Sequence, residues 1–167
     1  ICQGVTTEIL GQDGLSYAPL STPNLHIYRR YMAGANGNPD IDWNWSTVAE
    51  FRSRFERTVA VNTAYLVPHG AVRLELLGFE NVPLRGDRLK MAQALVSRGM
   101  EEWAVGFSTG LSYYPGSYSD TEELVELCRP VASAGGVYVT HIRAVFLGKR
   151  FDPVQEALDI GYRAGLP

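Results

Sequence analysis

Apolar positions along the chain follow two alternating rhythms. Short apolar, β-prone runs occupy residues 4–11, 59–67, 103–106 and 137–143. Between them, apolar residues recur at three- and four-residue steps, the signature of one helix face. Val48, Phe51 and Phe55 make such a stripe behind Ser46 or Thr47, and Thr47 with Glu50 has capping-box spacing. Leu89, Ala92, Leu95 and Val96 make a second within 85–100, closed near Gly99. Ser119-Asp120-Thr121-Glu122 opens a third as a capping box with Ser119 as the cap, carried by Leu124, Val125, Cys128 and Val131, which Pro130 is expected to kink or end. Asp152 and Pro153 start a fourth, with Val154, Ala157, Leu158 and Tyr162 expected to face inward and Gly165 to stop it. Residues 17–44, rich in Pro, Gly and Asn, are expected to be irregular, with Trp43 and Trp45 packing on the helix that follows or covering a pocket.

Strand and helix thus alternate four times with no hairpin signal between them, which predicts parallel strands joined by helical crossovers. Each strand ends on a polar or glycine-rich segment: Gln12-Asp13-Gly14, Pro68-His69-Gly70, Ser108-Thr109-Gly110 and Thr140-His141-Ile142-Arg143. In α/β barrels, chemistry collects at the C-terminal ends of the strands. Neither a Gly-x-Gly-x-x-Gly turn nor a Walker loop follows a strand, so a nucleotide-binding doubly wound sheet lacks support.

Composition narrows the class. The chain has 167 residues, 46% of them hydrophobic and 20% charged, in the range of a globular domain that can bury a core. A net charge of −3 without a basic cluster argues against nucleic acid as partner. No apolar run reaches the length of a membrane span. Cys2 and Cys128 are isolated thiols, which points to a reducing compartment, most simply the cytoplasm.

Two strand ends carry candidate ligands. By the two-residue period, Val137, Val139, His141 and Arg143 share a face, so His141 reads either as a metal ligand at a barrel rim or as a core histidine bonded to a backbone carbonyl. Asp13 reads first as a turn residue before Gly14, yet it puts a carboxylate at the same end of the sheet. His69, expected in a turn just past the second strand, reads first as a structural residue or one that supports a ligand from behind, and second as a ligand itself.

Four segments together carry a family resemblance. They are Gly4-Val5-Thr6-Thr7-Glu8 with Gly11-Gln12-Asp13-Gly14; Leu66-Val67-Pro68-His69-Gly70-Ala71-Val72-Arg73; Gly106-Phe107-Ser108-Thr109-Gly110-Leu111 with Tyr113-Tyr114-Pro115-Gly116-Ser117-Tyr118; and Gly135-Gly136-Val137-Tyr138-Val139-Thr140-His141-Ile142-Arg143. In this order they resemble the D-aminoacylases, or N-acyl-D-amino-acid deacylases, of the metal-dependent amidohydrolase superfamily. The resemblance implies part of a (β/α)8 TIM barrel, with residues 1–167 forming about four βα units of a partial amidohydrolase barrel domain whose first and later strands lie elsewhere. It implies zinc as cofactor and a small-molecule N-acyl amino acid as substrate. It maps His141 onto a zinc ligand, Asp13 onto a position where relatives often carry a ligating cysteine, and Tyr113 onto the edge of the substrate pocket. An aspartate there is a harder donor than a thiolate and still acceptable to zinc. The catalytic general base is expected outside this chain, so the segment alone is expected to be inactive. The remaining barrel, or another copy of the chain, is the expected protein partner. Two alternatives stand beside this reading. One is a cyclic-amide hydrolase of the hydantoinase or dihydroorotase kind, against which counts the position of Lys90 and Lys149, neither on a strand end. The other is a non-catalytic half-barrel that self-associates through its open sheet edges.

Overall fold

The protein is described by a computed structural model over residues 2–144 and 152–166. Four parallel strands, β1 (Thr7–Leu10), β2 (Asn62–Pro68), β3 (Gly106–Gly110) and β4 (Val137–His141), lie side by side in chain order. This is a half-barrel of the (β/α)8 type, as the family resemblance implies, and its parallel strands are those that alternation along the chain predicts. The helices are α1 (Thr22–Asn36), α2 (Val48–Ser53), α3 (His69–Leu77), α4 (Gly86–Glu101), α5 (Thr121–Ser133) and α6 (Pro153–Ala164).

Register sets which residues face the helices. Val67 pairs with Phe107, and Phe107 with Tyr138. Val67 packs on α4 at Gly99, where a β-carbon would collide with its methyl group. Phe107 meets the ring of His69 at the start of α3. Leu124, Val125, Leu127, Cys128 and Val131 of α5 are fully buried behind these strands. By strand alternation, Ile9, Leu66, Val137, Val139 and His141 lie on the opposite face. That face is the interior of the incomplete barrel, and Ile9 and Val137 on it stay exposed.

The segment 17–44 departs from its expected irregularity, because residues 22–36 form α1. Ser21 precedes it with Pro23 in the first turn, and Leu25, Tyr28 and Met32 supply a buried stripe at three- and four-residue steps. Trp43 and Trp45 are buried, with Trp45 against Phe51 of α2. The capping box at Thr47 and Glu50 forms as its spacing predicts.

Four other expectations are corrected. His69 is not in a turn: it is the first residue of α3, which follows β2 without a loop. The cap of α5 is Asp120, whose carboxylate accepts from the Glu123 amide, while the Ser119 hydroxyl donates instead to the Gly116 carbonyl. Pro130 does not end α5, which runs on to Ser133. Finally, α6 is turned round: it buries Glu156, Ile160, Gly161 and Ala164 and leaves Val154, Leu158 and Tyr162 exposed, Tyr162 at 87%. An ion pair holds Glu156 inward and decides that orientation. Lys149 and the apolar run 145–148 lie outside the described residues.

Candidate metal and substrate site

The C-terminal ends of the strands converge because four glycines let backbone touch backbone. A β-carbon on Gly70 would fall 2.6 Å from the Gly14 carbonyl oxygen, one on Gly14 2.8 Å from the Gly110 nitrogen, and one on Gly116 2.8 Å from the Gly110 oxygen. At Gly110 a β-carbon would overlap the carbonyl oxygen of Asp13. The turn Gln12–Gly14 therefore lies directly on the end of β3. Ser108 clasps it there: the Gly14 amide donates to the Ser108 hydroxyl at 3.1 Å, and that hydroxyl donates to the Gly11 carbonyl.

Within this turn Asp13 adopts the left-handed conformation, φ 58° and ψ 21°. That conformation costs a side-chain-bearing residue roughly 1–2 kcal/mol, least for Asp and Asn. Its effect is to aim the carboxylate across the rim. Asp13 Oδ2 stands 3.7 Å from His141 Nδ1, with the two side chains 47% and 42% exposed. Tyr113 completes the group: its hydroxyl lies 3.2 Å from the same nitrogen, and its ring meets the imidazole edge-on at 4.9 Å between centroids. Three residues separated by up to 128 positions are thus gathered on the interior side of one strand end.

His69 stands elsewhere. It is fully buried, and its Nε2 bonds Glu123 Oε1 at 2.9 Å rather than Asp13 or His141. Arg73, one helical turn on, bonds both oxygens of the same carboxylate at 2.8 and 2.7 Å. The Leu84 amide donates to Glu123 Oε2, and Arg73 reaches on to the Val82 carbonyl. Burial keeps the His69 imidazole below its ordinary pKa, so it stays neutral, the Glu123 carboxylate opposing that only in part. Burial by itself would raise the Glu123 pKa, but the hydrogen bond from His69 and the Arg73 guanidinium prevail and hold it down at about 2. The network fastens α3 to α5 behind the rim. Its members were not legible together in the sequence, since Glu123 lies 50 residues from Arg73; the visible trace was a charge at Arg73 one turn from His69.

The donors at the rim fit a metal ion in part. Two ligands bound tetrahedrally to zinc lie about 3.3 Å apart, close to the 3.7 Å between Asp13 and His141. Among the described residues no group of three His, Cys, Asp or Glu side chains converges. Cys128 offers nothing here, since burial in α5 pushes its thiol up to about 12. A cavity of about 1010 Å³ lies at the opposite end of the sheet, lined by Thr6, Arg52, Phe55, Val59, Asn62 and Trp103. It has no part in the chemistry proposed for the rim.

Comparison with known proteins bears on this geometry. The chain is 31% identical over 151 residues to D-aminoacylase of Alcaligenes xylosoxydans xylosoxydans, an alignment covering 86% of this chain and 29% of that protein. It is 30% identical to N-acyl-D-aspartate deacylase of the same organism, over 86% of this chain and 28% of that one. In fold it matches the crystal structure of N-acyl-D-glutamate deacylase from Bordetella bronchiseptica, complexed with zinc and a phosphonate mimic of the tetrahedral intermediate, with a TM-score of 0.79 at 28% identity. That match covers 98% of this chain and 33% of the other. The chain thus spans about a third of the length of these relatives. No protein-family model matches it.

Proposed function

We propose, from this homology to D-aminoacylases and N-acyl-D-amino-acid deacylases, that the protein containing this chain is a zinc-dependent hydrolase of the amide bond of N-acyl-D-amino acids. The observation that carries the reading is the approach of Asp13 and His141 to 3.7 Å at the end of the sheet where α/β barrels do their chemistry. In this reading His141 and Asp13 supply two ligands, and the remaining donors come from strands beyond this half-barrel. Zinc, when bound, supplies Lewis acidity toward the scissile carbonyl near neutral pH.

The chain's own residues hold and orient. His141 presents an imidazole on a strand whose last backbone pair is locked, the Leu111 amide donating to the His141 carbonyl at 3.0 Å. Asp13 brings negative charge that favours a cation at the rim. Tyr113 sets its hydroxyl beside His141 and its ring toward the opening, where it lines the substrate pocket. His69 acts from behind: locked to Glu123, it keeps the start of α3 and the neighbouring Gly116 backbone in place. A general base completes the reaction from outside this chain.

The test is hydrolysis by the full-length protein, supplied with zinc, of matched N-acyl-D- and N-acyl-L-amino acids. Release of free D-amino acid in clear preference to L is the expected result. Equal or absent turnover of both series overturns the reading, and opening of a cyclic amide instead would favour the hydantoinase-like alternative.

A further inference from the structure

Arg143 follows His141 by two residues, and its guanidinium meets acceptors from three directions. Nη1 donates to the Ser117 carbonyl at 3.0 Å and Nη2 to the Ser119 carbonyl at 3.1 Å. Nε and Nη2 donate to the two oxygens of Glu156 at 3.1 and 3.2 Å. Glu156, almost wholly buried in the first turn of α6, also accepts from the Thr121 hydroxyl at 2.9 Å. One side chain therefore ties the exit of β4 to the 111–119 loop and to the first turns of α5 and α6.

The gripped loop is the one that carries Tyr113, and it is closed on itself. The Ser117 amide donates to the Tyr113 carbonyl at 2.7 Å, and the Ser119 amide and hydroxyl both donate to Gly116. A hold at Ser117 and Ser119 is therefore passed on to Tyr113. We propose that Arg143 is a positioning residue that holds Tyr113 in place beside His141, its hydroxyl against Nδ1 while that nitrogen carries no metal. Its meaning for catalysis rests on the deacylase reading; its structural content does not. Only a planar guanidinium meets two carbonyls and a carboxylate at once, and a lysine ammonium has one point of charge to offer.

The experiment compares Arg143→Lys, Tyr113→Phe and the double variant in the metal-free full-length protein. It reads the imidazole ¹⁵N shifts of His141, assigned by their loss in His141→Gln. Arg143→Lys is expected to move these shifts in the same sense as Tyr113→Phe, and to add nothing in the Tyr113→Phe background. Unchanged shifts in Arg143→Lys, or additive changes in the double variant, overturn the proposal. If Arg143→Lys does not fold, Glu156→Gln, which loosens the guanidinium from the other side, is expected to give the same displacement in smaller measure; no displacement overturns the proposal equally. In the zinc-loaded protein, kcat/KM for the N-acyl-D-amino acid should fall about tenfold in each single variant and no further in the double. The shift measurement needs no turnover, so an inactive protein would sink the deacylase reading and leave this one still tested.

Discussion

Asp13 shows how much a single backbone angle contributes. Its left-handed φ of 58° is tolerable because the turn is clamped by Ser108 and because aspartate bears that conformation better than most residues. Asn shares the tolerance, so Asp13→Asn separates charge from shape. We expect this variant to keep thermal stability within about 0.5 kcal/mol, as for a substitution that breaks no packing, and to weaken zinc binding by the full-length protein at least about tenfold, read by titration calorimetry. Unchanged zinc affinity would remove Asp13 from the ligand set. At this scale the sequence was informative: Asp13 and His141 each ended an apolar run, and both proved to lie at the same rim. The turn's true shape was not legible, because it depends on contact with Gly110, nearly a hundred residues away.

Among the elements, the pair α3 and α5 carries the largest buried electrostatic load. His69, Glu123 and Arg73 have no exposure, and removing one member of such a set usually costs about 3–5 kcal/mol. Acid should undo the set in two stages. The His69 imidazole is held below its ordinary pKa, so beneath about 6.5 the unfolded chain takes up a proton that the folded chain refuses, and stability falls. Glu123, held at about 2, gives stability that is complete above its ordinary 4.5 and lost as pH drops from there toward about 2. Unfolding midpoints measured across pH 3–8 should therefore decline from near pH 6.5 and more steeply below 4.5. His69→Gln should abolish the first decline alone; an unaltered pH profile in that variant would contradict the assignment. Helices were legible where caps and stripes coincided, as at Thr47. Two were missed for opposite reasons: α1 buries only three residues in fifteen, and α3 is buried on nearly every side, so neither shows a clean stripe. For α6, apolar residues lie on two sides, and the choice between them was made by Arg143 drawing Glu156 inward, which no periodicity reveals.

At the scale of the molecule, one sheet face is open at its two outer strands among the described residues, while Leu66 and Ser108 between them are buried. Ile9 and Val137 on that face, and Val154, Leu158 and Tyr162 on α6, are apolar and exposed, where a closed barrel would cover the interior. The 167-residue segment, prepared alone, is accordingly expected to associate and to hydrolyse no N-acyl amino acid. A monodisperse monomer by light scattering, or measurable turnover, would contradict this. Strand direction was legible from alternation, and the order followed from the resemblance to a barrel, where strands neighbour one another in sequence. The full ligand set was not, because a barrel distributes its chemistry over strands far apart in sequence.

The contact of Gly14, Gly70, Gly110 and Gly116 carries a lesson for anyone wishing to redirect substrate preference. These positions set the width of the mouth by what they lack, and even a methyl group at any of them would prise the strand tips apart. Diversity introduced there would be spent on unfolded clones. If the deacylase reading holds, it belongs instead at exposed Tyr114, next to the phenol of Tyr113.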